Sequence, residues 1–96
     1  MIKIEQIEIE KVPYKLLYLA DEDDEQIKKY KDKAIFWSAI EESEIIGIIG
    51  LNEITKEIIE IVCIAVDETC QNRKIGTKLI ENGISYSKAK GYKEIM

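Results

Sequence analysis

The sequence predicts a single α+β domain in which one strand and two helices precede three antiparallel strands, a third helix and the start of another strand. Three observations support this class. Residues 2–9 alternate isoleucine with polar side chains, which is the pattern of a half-buried strand. Three strand-like apolar segments, separated by short polar turns, occupy residues 34–66. Beyond residue 74 the apolar residues recur at helical spacing, and this order of elements is typical of an α+β domain.

The N-terminal strand changes phase within its own length. Ile2 and Ile4 alternate with charged residues, and the alternation resumes in the opposite phase at Ile7 and Ile9. Because one extra residue in a strand reverses which side chains share a face, we expect a bend or bulge near Gln6.

Two helices are predicted between residues 13 and 33. Pro13 suits the first turn of a helix, because its missing N–H would have no partner there. An acidic run at residues 21–25 predicts the start of a second helix, over residues 22–33, since carboxylates cap free N–H groups. A cation site is the alternative, but the oxygens lack the spacing of a calcium loop. The buried side of the first helix is expected to consist of Leu16, Leu17, Leu19 and Ala20.

Three consecutive strands are predicted over residues 34–41, 45–54 and 57–66. The last of them is almost continuously apolar and is interrupted only by Glu60, so we expect it to be central in the sheet and buried on both faces. Gly47 and Gly50 lie within the second strand. A glycine inside a strand leaves room either for a ligand or for a neighbouring side chain, and the sequence leaves both alternatives open.

The composition excludes several classes of function. A net charge of −5 argues against nucleic-acid binding, which depends on phosphate neutralisation by Lys and Arg. No segment has the apolar length of a membrane span, and the N-terminus lacks the apolar core of a signal peptide, so we expect a cytoplasmic protein with no membrane partner. The chain has no histidine, which excludes a histidine-ligated metal site and a Ser-His-Asp triad built from this chain alone, and we expect no metal.

The two cysteines are expected to be free thiols. Cys63 falls inside the apolar strand and Cys70 follows seven residues later, so no C-x-x-C motif exists and a thiol-based redox function is disfavoured. A disulfide is equally disfavoured in a cytosolic setting, and free cysteine commonly behaves as a small buried hydrophobe.

A polar connection over residues 67–73 joins the predicted strand at residues 57–66 to an amphipathic helix. The helix begins near Lys74 and is expected to end at Gly91, after which residues 92–96 open one more strand. The first turn of a helix presents unpaired N–H groups and the positive end of the dipole, so this connection predicts an anion site.

These residues resemble the GNAT superfamily, the GCN5-related N-acetyltransferases that use acetyl-CoA. The strand, loop and helix between residues 59 and 80 carry the specific part of the resemblance, and the order of elements matches the front of that fold. The family's loop motif, Q/R-x-x-G-x-G/A, falls on residues 71–76, with Lys74 where the first glycine is usual. Lys74 would either narrow the loop or require a negative φ, both of which disfavour tight binding, or it would add a favourable charge near a phosphate, and the sequence leaves these alternatives open.

The resemblance implies which residues hold acetyl-CoA. Backbone groups at the end of the predicted strand 57–66 would pair with the pantetheine arm, and an amide there would polarise the acetyl carbonyl. Backbone N–H groups of the loop would surround the pyrophosphate. The cofactor-binding residues expected from the resemblance are Ile64, Ala65, Val66, Gln71, Asn72, Arg73, Lys74, Ile75, Gly76 and Thr77.

Glu60 is the candidate catalytic residue. It lies eleven residues before Gln71, where the histone-acetylating branch of the family carries its general-base glutamate. A carboxylate set among isoleucines is suited to taking a proton from an ammonium group. The alternative is that Glu60 lies near the strand start with its carboxylate in water.

The resemblance implies an acetyl-CoA-dependent N-acetyltransferase, or the N-terminal part of one, that transfers acetyl directly to a small-molecule or peptide amine. Residues 1–96 would be a single, partial domain: most of the family's fifth strand, its fourth helix with the usual general-acid tyrosine, and its last two strands have no counterpart in this sequence. The alternative is a non-catalytic module that binds CoA weakly or serves as an oligomeric scaffold. A homodimer that completes the sheet is a further expectation.

Overall fold

The computed structural model describes residues 1–21 and 23–96, which form a five-stranded sheet with helices on both faces. Their order confirms the predicted α+β class. The strands are β1 (Lys3–Ile7), β2 (Ile35–Glu41), β3 (Glu44–Glu53), β4 (Ile58–Val66) and β5 (Glu94–Ile95). The helices are α1 (Tyr14–Ala20), α2 (Asp24–Lys31) and α3 (Ile75–Ala89), and short 3-10 turns occupy Ile9–Lys11 and Glu68–Cys70.

The strands lie in sequence order across the sheet, and β1 to β4 are antiparallel. The short strand β5 runs parallel to β4 and pairs only with Ile58 and Ile59. The prediction that residues 57–66 form the central strand is therefore wrong, because β3 occupies the centre. β4 lies beside it and, past Ile61, has no strand along its outer edge within the described residues.

Each face of the sheet carries its own core. One core lies beneath α1 and α2 and includes Leu16, Phe36 and Cys63. The other lies beneath α3 and includes Trp37 and Leu79. Side chains alternate between the faces of a strand, so the apolar residues of the inner strands serve both cores.

This two-sided arrangement explains the phase change in β1. Ile4 packs against the core beneath α3, whereas Ile7 packs against the core beneath α1 and α2. The pairing of β1 with β2 is regular from Lys3 to Ile7, so the predicted bend or bulge near Gln6 is wrong. Two covered faces, not an inserted residue, account for the pattern.

The glycines of β3 make room for neighbouring side chains. A Cβ added at Gly50 would lie 2.7 Å from the ring of Phe36, and one at Gly47 would lie 3.2 Å from Leu79 Cδ1. Of the two alternatives that the sequence left open, side-chain packing is the one that the structure supports at both positions.

The helix boundaries follow the predicted capping signals. The acidic run caps α2, because the Asp23 carboxylate accepts a hydrogen bond of 2.9 Å from the backbone N–H of Glu25. The helix predicted to begin at residue 22 begins at Asp24, and Glu22 itself lies outside the described residues. Gly91 follows α3 with a left-handed φ of 88°, as expected for a residue that ends a helix. No helix among the described residues has the length and apolarity needed to cross a bilayer.

Candidate functional site

A groove of about 520 Å³ lies between α1, the end of β4 and the start of α3. It brings together nine of the ten expected cofactor-binding residues and leaves out Arg73. A second groove of about 540 Å³, between β1 and the α2–β2 turn, contains none of them. The lining residues are Leu19, Ile64, Ala65, Val66, Cys70, Gln71, Asn72, Lys74, Ile75, Gly76 and Thr77.

The loop between β4 and α3 is held in shape by its own side chains. The Asp67 carboxylate accepts a hydrogen bond of 3.0 Å from the backbone N–H of Thr69 and one of 2.8 Å from its hydroxyl. The Gln71 side-chain amide donates at 3.2 Å to the carbonyl of Val66, the last residue of β4. These bonds fix where the chain leaves the strand and where it turns towards the helix.

Two residues of this loop have left-handed backbone conformations, Asn72 with φ of 68° and Lys74 with φ of 63°. Lys74 immediately precedes α3 and stands where the motif usually has glycine. Of the alternatives that the sequence left open for Lys74, a negative φ is therefore not the one found. The chain keeps the conformation that glycine adopts easily, although a left-handed φ costs an L-residue about 1–2 kcal/mol.

Seven consecutive backbone N–H groups, those of residues 71–77, donate to no acceptor within the described chain. The first hydrogen bond of α3 runs from the N–H of Lys78 to the carbonyl of Lys74 at 3.1 Å. Unpaired N–H groups ahead of that bond lie at the positive end of the helix dipole. The arrangement is suited to a phosphate or another oxyanion.

The charged side chains around the loop differ in whether they already form an ion pair or could interact with a bound anion. Arg73 makes a bidentate ion pair with Glu41 at the end of β2, with Nη1 to Oε1 at 2.9 Å. Hydrogen bonding to Arg73 lowers the pKa of Glu41 and raises that of Arg73. Lys74 and Lys78 form no ion pair within the described chain, so their charges remain available beside the loop.

A second ion pair ties α1 to the loop. Lys15 Nζ lies 2.8 Å from Asp67 Oδ2. The hydrogen bond from Lys15, followed by those from Thr69, lowers the pKa of Asp67 to about 2. The pair therefore holds one flank of α1 close to the end of β4.

Glu60 lies on β4, outside the groove. It is half-buried and stands opposite Asn52 of β3. Ile59 and Ile61 pack against the core beneath α3, so alternation directs Glu60 to the face that α1 and α2 cover.

A bulge follows Glu60 along β4. Gly50 pairs with Cys63 and Leu51 with Ile61, which leaves Val62 as an extra residue. Cys63 therefore shares a face of the sheet with Glu60, and it is 4 % exposed. Burial raises the pKa of its thiol to about 11, so Cys63 stays protonated near neutral pH and is a poor nucleophile. Cys70 is half-buried and lines the groove, as a free thiol.

Leu19 is the lining residue that the sequence placed wrongly. It was expected on the buried side of α1, but it is 44 % exposed and faces the groove. Leu16 and Leu17 form the buried side instead. The available signal is the spacing of Lys15 and Leu19, which lie four residues apart and so share one flank of the helix.

The comparisons with known proteins agree on the family. The model of the acetyltransferase (GNAT) family matches residues 3–96, and the chain belongs to this family. A search of curated proteins found no match.

Solved structures of acetyltransferases are similar to this chain in fold and in sequence. A GNAT family acetyltransferase from Elizabethkingia anophelis, with acetyl-CoA bound, shares 37% identity at a TM-score of 0.89, over 95% of this chain and 60% of that one. An IAA acetyltransferase from Bacillus cereus shares 34% identity at a TM-score of 0.89, over 95% and 61%. A Bacillus subtilis acetyltransferase in complex with CoA shares 29% identity at a TM-score of 0.85, over 95% and 60%. The chain thus spans about 60% of the length of these relatives.

Proposed function

We propose that this chain is an acetyl-CoA-dependent N-acetyltransferase, or the N-terminal part of one, and that residues 1–96 form a single partial domain. Membership of the GNAT family supports the class of reaction. The observation that carries the proposal is the run of N–H groups at residues 71–77, at the start of α3, which have no partner in the described chain; all of these residues except Arg73 line the groove. Two of the similar structures were determined with acetyl-CoA or CoA.

The groove fits the parts of the cosubstrate. The N–H groups of the loop would hold the pyrophosphate, and the backbone of Ile64, Ala65 and Val66 would pair with the pantetheine arm along the open edge of β4. Gly76 leaves the approach clear, because the nearest atom to a Cβ placed there is 3.9 Å away. Acetyl-CoA supplies an acetyl thioester; the protein binds it and orients its carbonyl towards backbone amides.

Glu60 is proposed as the general base. An amine at neutral pH carries a proton that must leave before the nitrogen can attack, and Glu60, a half-buried residue on the side of β4 that α1 and α2 cover, would receive it. Transfer is direct, without a covalent enzyme intermediate, which agrees with the protonated state of Cys63. The net charge of −5 favours a cationic small-molecule or peptide amine as acceptor. The proposed location of the protein is the cytoplasm.

Titration with acetyl-CoA tests the cosubstrate. At about 100 times Kd the ligand should stabilise the fold by about 2.7 kcal/mol, a melting shift on the order of 10 °C or more for a chain of this size. Amide NMR signals of residues 64–66 and 71–77 should move. The proposal fails if millimolar acetyl-CoA changes neither the melting temperature nor these signals.

Turnover with a panel of amines tests Glu60. Glu60→Gln should lower turnover by roughly 10²- to 10⁴-fold, the usual contribution of a general base, and leave the affinity for acetyl-CoA unchanged. Glu57→Gln is the matched control, because the side chain of Glu57 is exposed and makes a surface ion pair with Lys93, whereas its backbone hydrogen bonds are kept in the variant. Equal turnover in the two variants would remove Glu60 from the mechanism.

A non-catalytic module is the second candidate function. The observation that favours it is the outer edge of β4 at residues 62–66, which has no strand beside it in the described chain and can pair with another copy to complete the sheet as a homodimer. Light scattering at working concentration separates the candidates, since a monomer that turns over acetyl-CoA excludes the scaffold.

A further inference from the structure

We propose that Glu41 is a positioning residue, which acts through Arg73 to hold the loop between β4 and α3 in the conformation that binds acetyl-CoA. The inference rests on the proposed function, because it concerns the same ligand. Glu41 ends β2, so it lies outside the groove and outside the strand, loop and helix that carry the resemblance to the family.

Arg73 is the expected cofactor-binding residue that does not line the groove. Its guanidinium is bound instead to the carboxylate of Glu41 by two hydrogen bonds, with Nη1 to Oε1 at 2.9 Å. The side chains are 44 % exposed for Arg73 and 24 % exposed for Glu41. A bidentate pair of this kind fixes orientation as well as distance. The contact therefore restrains the loop at Arg73 relative to β2.

The loop needs a restraint at this point. Asn72 and Lys74, on either side of Arg73, have left-handed φ values of 68° and 63°. This conformation is unfavourable for an L-residue and persists where surrounding contacts determine it. Asn72 and Arg73 make no backbone hydrogen bond within the described chain. The ion pair with Glu41 is thus the strongest polar restraint on this part of the loop.

Glu41 is itself fixed in the sheet. It pairs with Glu44 of β3 across a tight turn of two residues, both with left-handed φ, which fits the twist of the two strands. The start of the loop is attached to the same hairpin, because the N–H of Asp67 donates at 2.8 Å to the carbonyl of Ile46 in β3. The β2–β3 hairpin therefore holds the loop at two separate points.

The sign of the effect separates positioning from simple electrostatics. A carboxylate close to a loop that binds an anion repels the anion, so its removal should tighten binding if charge alone decides. If Glu41 positions the loop, its removal should weaken binding, because the loop then spends less time in the conformation that accepts the ligand. Partly exposed ion pairs shift such equilibria by small factors, and we expect the Kd for acetyl-CoA to rise roughly 2- to 5-fold.

Calorimetric titration of the full chain with acetyl-CoA tests the inference, at about 0.15 M salt to screen distant charges. Glu41→Gln removes both the charge and the ion pair and should raise the Kd. Glu44→Gln is the matched control, because Glu44 lies exposed on the same hairpin and makes no ion pair within the described chain. This variant removes the same charge without releasing Arg73, and it should not raise the Kd.

A double variant decides whether Arg73 acts together with Glu41. Arg73→Gln should weaken binding about as much as Glu41→Gln does, and the two substitutions together should weaken it no further. If Arg73 bound a phosphate directly, Arg73→Gln would cost affinity in the Glu41→Gln background as well. Amide NMR of the free chain adds a measurement that needs no ligand: signals of residues 72–74 should move in Glu41→Gln and stay in place in Glu44→Gln.

The outcomes distinguish the positioning role from the proposed function. If the wild-type chain does not bind acetyl-CoA, the proposed function fails, and the role of Glu41 with it. If the wild-type chain binds but Glu41→Gln binds equally well or more tightly, or if Arg73→Gln adds a further loss in the double variant, the positioning role is overturned and the proposed function stands. The melting temperature of Glu41→Gln, expected to stay close to that of the wild type, excludes unfolding as the cause of a loss.

Discussion

Gly76 gives the sharpest test of the site, because the folded chain does not itself require a glycine there. Its φ is not in the left-handed region, and a Cβ at this position would meet only Val66 Cγ2, at 3.9 Å. Glycine within a helix is less stable than alanine by roughly 0.5–1 kcal/mol. Gly76→Ala should therefore stabilise the free protein by about that amount and raise its melting temperature by roughly 2–8 °C.

The same methyl group should leave the binding of acetyl-CoA nearly unchanged. The family's loop motif has either glycine or alanine at this position, and a Cβ there would meet only Val66 Cγ2, at 3.9 Å. Any change should therefore stay below the roughly 10- to 150-fold rise in Kd that loss of one hydrogen bond to a charged group, about 1.5–3 kcal/mol, would cause. Gly76→Ala should thus gain stability without losing affinity for acetyl-CoA.

Gly83→Ala is the matched control in the same helix. A Cβ there would lie 3.4 Å from Ile49 Cδ1, an ordinary contact inside the core beneath α3 and away from the groove. Gly83→Ala should stabilise the fold to a similar degree and leave the affinity unchanged. Thermal unfolding of Gly76→Ala and Gly83→Ala, each with and without acetyl-CoA, gives the change in stability and the change in affinity for both variants. If Gly76→Ala weakens acetyl-CoA binding 10-fold or more and Gly83→Ala does not, the match of residues 71–76 to the family's loop motif is refuted.

Three further predictions concern the loop and the sheet. Lys74→Gly should stabilise the protein by about 0.5–1 kcal/mol in urea unfolding, because relief of the left-handed φ outweighs the added freedom of the unfolded chain, and Lys74→Ala should give no gain. Asp67 has a pKa lowered to about 2, so its pairing with Lys15 stabilises the fold above about pH 4 and is lost as the pH falls towards 2; acid unfolding of Asp67→Asn should lack this component. Gly50→Ala should destabilise the fold by about 1–3 kcal/mol, measured by the same urea unfolding, because its Cβ would lie 2.7 Å from the Phe36 ring; a smaller loss would mean that the ring can move aside.

Local patterns in the sequence predicted the fold well, because strand and helix periods are properties of neighbouring residues. They failed where the answer depends on a distant partner. The bulge at Val62 lies in an unbroken apolar run that carries no glycine or proline to signal it. The phase change before Ile7 is explained only once both faces of β1 are known to be covered.

The candidate site likewise contains features that local sequence patterns predict and features that depend on residues far apart in the sequence. The loop with unpaired N–H groups was predictable, since a polar connection before a helix creates such groups wherever it occurs. The pairing of Arg73 with Glu41 joins residues that are 32 apart in the sequence, and no local pattern reports it. Leu19 was misplaced because Leu16, Leu17 and Leu19 are equally apolar, and only the tertiary structure decides which of them meets the sheet.

The separation of the two cores by the sheet has a consequence for how such a domain can change over evolutionary time. The loop and α3 rest on one core, whereas α1, α2 and the side of β4 that carries Glu60 rest on the other. Substitutions at sites that share no partner add in their effects on stability to within about 0.3–0.5 kcal/mol. Mutations in the core beneath α1 and α2 can therefore accumulate with little disturbance of α3, except at contacts that join the two sides, such as the ion pair of Lys15 with Asp67. The sheet acts as a partition between two cores that can change largely independently of each other.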